Sequence, residues 1–312
     1  MNITKKSNLK LTKLGCEMLK YLLVPILLFM FNVQTFAKVP HIPDDIDLKN
    51  DTYCVTEPNK FDVPFNNVTI LIDKTTELHP EQIRWIQNNI FQESTVLEHP
   101  PFTKFQILLI DHRAAQLQEF IFQKCRPKTG KDNTTFDYDE YSWFENKNFL
   151  EGKFSDFKDD FKEVGNNLQS AQSANNTYII ETLMEVFDTV TFDFSSTKYD
   201  NRTLIIVSDM MQHTDNISFY RECLEFLKEC SSFENLIRNK QTKDYIDDRK
   251  LRDIENLDVK LYLLSFRCET SEKHQKSLVH LWKDYFDYNG IQTPSNDQDW
   301  ITSQKYFTQN CN

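Results

Sequence analysis

Val68-Thr69-Ile70-Leu71-Ile72 is a short apolar run that stops on an acid, Asp73, and continues Lys74-Thr75-Thr76-Glu77. A run with no polar alternation, bounded by a turn-forming residue, reads as a strand buried on both faces. Thr203-Leu204-Ile205-Ile206-Val207-Ser208 has the same form and stops on Asp209. Outward from the first run, Pro80 to Phe91 carries Ile83, Ile86, Ile90 and Phe91 at helical spacing, with Pro80 at a helix start. Phe105 to Ile110 reads as a strand, Ala114 to Phe122 as a helix, and Ile217 to Phe233 as a helix with Phe219, Cys223, Phe226, Leu227 and Cys230 on one face. Val259 to Phe266 is a further strand. A last helix from about Ser271 to Tyr288 holds Leu278, Leu281, Trp282, Tyr285 and Phe286 at i, i+3, i+4 spacing. Strands alternating with helices predict an α/β chain: a three-layer, doubly wound, mainly parallel sheet with helices on both faces. The segment at about 126–172, rich in Asp, Asn, Phe and Tyr, interrupts this pattern and reads as an insertion, partly helical around Phe154 to Leu168.

The start of the chain has a different character. Lys5, Lys6, Lys10, Lys13 and Lys20 precede an apolar run from Tyr21 to Phe31, and Thr35-Phe36-Ala37 offers small residues at a cleavage site. That order predicts a secretory signal over residues 1–37, with the true start at Met1 or Met18. The apolar run is shorter than the roughly 20 residues a membrane span needs. Residues 38–66 then form a polar extension, 67–312 the α/β domain, and the product is expected in the periplasm or outside the cell, with no membrane insertion after cleavage. Loss of the leader moves the formal charge from −11 to −15, with 31 basic against 46 acidic side chains. Nucleic-acid binding is driven by basic side chains meeting phosphate, so that partner class is excluded. Six cysteines remain, Cys54, Cys125, Cys223, Cys230, Cys268 and Cys311, an even number that suggests up to three disulfides in an exported chain. On one continuous helix Cys223 and Cys230 lie roughly 10 Å apart and could not pair with each other.

Ligands of open parallel sheets bind at the carboxyl ends of the strands. Asp73 and Asp209 stand there, and two carboxylates at one edge repel unless a proton or cation joins them. Oxygen donors from Asp and Thr suit Mg²⁺ or a similar hard cation. Taken singly, an Asp after a strand is equally a turn former or helix cap.

Asp73-Lys74-Thr75-Thr76-Glu77, following its hydrophobic strand, resembles the Asp-x-Ser-x-Ser loop of the metal-ion-dependent adhesion site in von Willebrand A domains, Asp73 matching the Asp and Thr75 the first Ser. Asn175-Asn176-Thr177, ahead of Thr182-Leu183, is similar to the family's Gly-Gly-Thr before Ala-Leu, and Ser208-Asp209 is similar to the acid of its fourth-strand loop. The resemblance spans Val68 to Phe266. It implies a divalent cation, Mg²⁺ or similar, held by Asp73, Thr75, Thr177 and Asp209. It also implies a protein partner whose carboxylate completes the ion's octahedron, and binding rather than catalysis. The chain departs from the pattern in Glu77 at the second Ser, Met210 at the Gly after the last Asp, and Asn175 and Asn176 at glycines. A Glu in place of Ser adds charge and bulk, and so either strengthens the ion site or fills it. The ending, Leu261 to Leu264, then Leu281 to Phe286 and Asn289-Gly290, looks like the tail of exported von Willebrand A-like proteins of Gram-negative bacteria.

Ile72-Asp73-Lys74-Thr75 also resembles the nucleophile loop of haloacid-dehalogenase-type phosphotransferases, which implies a Mg²⁺-dependent phosphatase with Asp73 attacking phosphorus and Ser208 supplying a hydroxyl. That family needs a later acidic pair, whereas the strand from Val259 runs into Arg267-Cys268. No Gly-x-Ser-x-Gly or His-Glu-x-x-His is present. His213, four residues past Asp209, either neighbours the site or is solvated. Phe136, Tyr138, Tyr141, Trp143 and Phe144, set among acids, either form a recognition patch or pack under a loop. Of the Asn-x-Ser/Thr sequons, Asn67 and Asn175 fall where a glycan would disturb the core or the site.

Overall fold

Both acid-terminated runs become central strands. The computed structural model describes residues 54, 65–75, 77–110, 120–130, 132, 147–169, 176–188, 192–222, 230–264 and 272–303. The expected leader, most of the polar extension, Asn175 and the aromatics from Phe136 to Phe144 lie outside these. Strands β1 (Asn66–Asp73), β2 (Lys104–Ile110), β3 (Phe120–Cys125), β4 (Asn201–Ser208), β5 (Leu257–Leu263) and β6 (Ile301–Ser303) form one sheet in the order β3-β2-β1-β4-β5-β6. All neighbours run parallel except β3, which is antiparallel to β2.

Because the side-chain period of a strand is two, β1 and β4 feed two separate cores. Val68, Ile70, Ile72, Ile205 and Val207 enter one, with Phe105 and Ile107 of β2. Leu71, Leu204 and Ile206 enter the other, with Leu108 and Ile110. The first core is roofed by α1 (Pro80–Asn89), α2 (Glu93–Leu97) and α3 (Lys147–Asn166). The second is roofed by α4 (Ile179–Asp188), α5 (Phe219–Glu222), α6 (Phe233–Arg238), α7 (Lys240–Asp247) and α8 (Glu272–Tyr288). This is the three-layer, doubly wound α/β architecture expected from the strand–helix alternation.

On its Leu71 side, β1 also carries polar groups, and they satisfy one another. Asn67 Nδ2 donates to Gln106 Oε1 (2.9 Å) and to the Asp193 carbonyl (3.0 Å), and Thr69 Oγ1 donates to Asn67 Oδ1 (3.0 Å). Most buried polar atoms are paired in this way. Asn67 has no exposed surface, which leaves no room for a glycan.

Three sequence expectations need correction. Of the helix expected over Ala114 to Phe122, residues 111–119 lie outside the described ones, and Phe120 to Phe122 belong to β3. The register pairs Ile107 with Phe122 but Leu108 with Phe120, so Ile121 is the extra residue of a β-bulge. The bulge sends Phe120 and Phe122 to opposite cores and erases the two-residue alternation that marks a strand. The helix expected over Ile217 to Phe233 is not continuous. Cys230 to Ser232 are non-helical, and a new helix, α6, starts at Phe233, where the Ser232 side chain accepts from Asn235 N (3.3 Å) as its cap. The last sheet run is shorter at its end than expected: β5 stops at Leu263.

The helical part of the expected insertion is α3, and it is structural. Its Phe154, Phe157 and Phe161 are buried, and Phe157 and Phe161 meet Phe105 and Phe122 edge-on at 5.5–5.8 Å between ring centres. Such pairs add about 0.5–1.5 kcal/mol beyond their buried area. Cys54 of the extension is disulfide-bonded to Cys125 at the end of β3, with Cα atoms 4.9 Å apart. Cys230 is also disulfide-bonded. None of the described helices is long and apolar enough to cross a membrane.

Gly165, near the end of α3, lets that helix lie directly on Phe91. A Cβ built there would fall 2.8 Å from Phe91 Cγ. Gly165→Ala should therefore destabilise the protein by about 1–3 kcal/mol, overpacking outweighing the roughly 1 kcal/mol gained in helix propensity. Urea unfolding at neutral pH measures this, and an unchanged or raised midpoint would show that the Phe91 contact is loose.

Candidate functional site

The β1–β4 register runs from Asn66↔Asn201 to Ile72↔Val207, so the next step sets Asp73 beside Ser208 at the carboxyl edge of the sheet. Ser208 Oγ donates to Asp73 Oδ2 at 2.7 Å. The chain turns directly after Asp73, and both Thr75 N (2.9 Å) and Thr75 Oγ1 (2.7 Å) donate to Asp73 Oδ1. Thr177 comes from the third loop, ahead of α4, and its Oγ1 donates to Thr75 Oγ1 at 2.9 Å. A relay of hydroxyls thus leads from Thr177 through Thr75 to one oxygen of Asp73, while Ser208 holds the other.

Thr177 is placed by backbone rather than by its own side chain. Thr177 N donates to the His213 carbonyl (2.8 Å) and His213 N to the Thr177 carbonyl (3.0 Å). Gln212 adds a second tie: its Oε1 accepts from Ile180 N (3.0 Å) in the first turn of α4, and its Nε2 donates to Glu181 Oε2 (3.0 Å). The loop after β4 therefore carries the Thr177 loop with it. His213, which the sequence left between site neighbour and solvated loop residue, is half-buried. Its Nδ1 pairs with Ser218 Oγ at 2.7 Å and its ring meets Tyr220.

Asp209 follows Ser208, and its Oδ1 accepts from Met211 N at 3.0 Å. Met210, between them, has φ 61°, the left-handed region that favours glycine. This is the position at which the sequence departs from the family's Gly. For a methionine the conformation costs on the order of 1–2 kcal/mol, and Met210 N is held by Ser208 Oγ (2.7 Å) and its carbonyl by Trp282 Nε1 (2.9 Å).

Asp73, Thr75, Thr177, Ser208 and Asp209 are all under 10% exposed. Burial, together with the Asp73 carboxylate, pushes the Asp209 carboxyl up to about 8. Burial also pushes Asp73 up, against the pull of its Thr75 and Ser208 hydrogen bonds. The donor set fits a hard divalent cation: two desolvated carboxylates and three hydroxyls, all oxygen, with no thiolate or imidazole among the described residues bonded to either acid. Among the described residues no three His, Cys, Asp or Glu side chains are placed to hold a metal ion together, so any ion here leans on hydroxyls. Glu77, at the departure that would fill or strengthen the site, is exposed.

The four side chains singled out from the sequence thus share one edge. What sequence reasoning missed were the groups that aim them. Ser208 was considered only for the phosphotransferase reading. Gln212 and Trp282 carried no signal, since their partners lie 31 and 72 residues away.

Sheet order and the three converging loops define a doubly wound α/β fold with a candidate site at the carboxyl edge of β1 and β4. No family of proteins matches the sequence, and no curated protein matches it either. Among solved structures it is similar to manganese-loaded TRAP protein of Plasmodium vivax, at 8% identity and a TM-score of 0.32, over 78% of this chain and 69% of that one. It is similar to proximal thread matrix protein 1 from the mussel byssus at 11% identity and a TM-score of 0.36, over 80% of this chain and 46% of that one. It is also similar to a von Willebrand factor type A protein from Catenulispora acidiphila at 11% identity and a TM-score of 0.33, over 73% and 42%. The chain spans less than half of the latter two.

A carboxyl raised in the folded chain favours folding only while protonated. In chelator, stability should be full below about pH 4, the unfolded carboxyl range, and should fall as pH rises until it flattens above about 8. Urea midpoints across this window measure it. Asp209→Asn should shrink the fall, and a wild-type midpoint that climbs over the same range would contradict a buried acid pair.

Proposed function

We propose that this chain is an exported protein-binding module whose docking edge is the carboxyl end of β1 and β4. There Asp73, Thr75, Thr177 and Asp209 hold Mg²⁺ or a similar divalent cation. The observation that carries the reading is the burial of Asp73 and Asp209 together, with hydroxyls from three separate loops. Like charges in a shared dry site need a proton or a cation between them. Burial raises both carboxyls, that of Asp209 to about 8, so the pair retains a proton near neutral pH. A cation would supply the positive charge in its place and leave a coordination position for an acidic side chain of the partner. Asp73 accepts from the Thr75 and Ser208 hydroxyls and so fixes the direction of both O–H groups. Thr177 extends the oxygen surface outward. The basic leader with its apolar run and small residues at Thr35-Phe36-Ala37 supports export, as does the Cys54–Cys125 disulfide, which suits an oxidising compartment.

The test begins with the ion. Mn²⁺ titrated by calorimetry at about pH 7 in two buffers of different ionisation heat should bind at one site with release of about one proton. Asp73→Ala should abolish both uptake and release, and anomalous scattering from Mn²⁺ at the strand edge of a crystal would locate it. Partner binding should then be lost with chelator and with Asp73→Ala. Partner binding that survives both treatments would move the docking surface to the other loops. Mg²⁺-dependent turnover of a phosphomonoester, absent in Asp73→Asn, would replace the binding module with the phosphotransferase.

A further inference from the structure

The loop after β4 keeps its shape without the glycine that such a turn favours, and the structure shows what substitutes for it. Met210 sits at φ 61° with no exposed surface. Its N–H donates to Ser208 Oγ (2.7 Å), whose own hydroxyl donates to Asp73 Oδ2 (2.7 Å). The next N–H, that of Met211, donates to Asp209 Oδ1 (3.0 Å). The peptide units on either side of Met210 Cα therefore orient Ser208 and Asp209. A β-branched or long residue does not hold this conformation by itself, and a small backbone rotation would withdraw both N–H groups from their acceptors. The Met210 carbonyl accepts from Trp282 Nε1 at 2.9 Å, between two residues with no exposed surface. The Trp282 ring is in turn fixed by Phe219 at 5.4 Å, Tyr285 at 5.2 Å and Phe286 at 6.0 Å. Were the loop to relax, the indole N–H and the carbonyl would both be stranded in a dry core, which buried polar groups resist.

We propose that Trp282, on α8, is a positioning residue for the β4 edge: its indole N–H clamps the left-handed Met210 and so holds Ser208 and Asp209 in the geometry that the edge needs to bind a cation. The last step rests on the cation-binding reading given above, while the clamp itself does not. A tryptophan on the last helix thus does by hydrogen bonding what a glycine does by lacking a Cβ.

Two variants and two measurements test this on the full mature chain. Trp282→Phe keeps an aromatic ring and removes the donor. In chelator, amide hydrogen exchange at Met210 and Met211 should become about tenfold or more faster, with the β1 amides unchanged, as local rather than global opening requires. Mn²⁺ affinity should fall about tenfold in the same variant. Adding Met210→Gly to Trp282→Phe should restore exchange protection at residue 211 and Mn²⁺ affinity, because glycine takes positive φ freely. Thermal stability should not recover, since the carbonyl stays unpaired and the Met210 side chain is gone. A merely structural tryptophan predicts the opposite: uniform loss of protection across the sheet and no rescue by glycine. Unchanged exchange at Met210 and Met211 in Trp282→Phe overturns the clamp. A wild-type chain that takes up no Mn²⁺ overturns the cation reading, and the exchange pattern still decides the clamp.

Discussion

One buried carboxylate organises this molecule's edge. Asp73 lies at the end of the most buried strand, 3% exposed, in a place where an ion without partners would be strongly disfavoured. Among the described residues its hydrogen-bond donors are hydroxyls and a backbone amide, from the turn after β1 and from the end of β4. Thr177 joins through Thr75, and the Thr177 loop is in turn latched to His213 and Gln212. Loops separated by more than a hundred residues are therefore held in one arrangement by the need to satisfy a single desolvated group. Asp209 sharpens the constraint, because burial raises both carboxyls and the Asp73 charge raises that of Asp209 further.

The sheet that carries these loops supplies rigidity from both sides. Residues of β1 and β4 alternate between two cores, so neither strand can slip by one position without exchanging its apolar sets and displacing Asp73 from Ser208. The antiparallel β3 closes one edge beyond β2, and α3 covers that end with a phenylalanine cluster. The register of the core and the geometry of the edge are thus a single specification.

That specification was partly written in plain sequence. β1 and β4 were legible because a strand buried on both faces shows as an unbroken apolar run, and Asp73 and Asp209 because each stops such a run. Thr75 and Thr177 were legible only through their likeness to the family's loops. β3 was hidden by its bulge at Ile121, which breaks the alternation a reader would count. The break before α6 was hidden because Cys230, Phe226 and Phe219 keep helical spacing across it, whereas the structure caps a new helix with Ser232. Met210 was visible as a departure from glycine, but its remedy was not. A hydrogen bond from a side chain 72 residues onward leaves no local periodicity behind it.

The Cys54–Cys125 bridge closes a covalent ring around β1, α1, α2, β2 and β3. Asp73 and Thr75 lie inside this ring, whereas Thr177, Ser208 and Asp209 lie outside it. A backbone cut anywhere within the ring leaves its two ends joined through sulfur and keeps the first half of the edge attached to the fold. A cut between Thr177 and Asp209 has no such safeguard among the described cystines, even though both halves meet at the same few oxygen atoms.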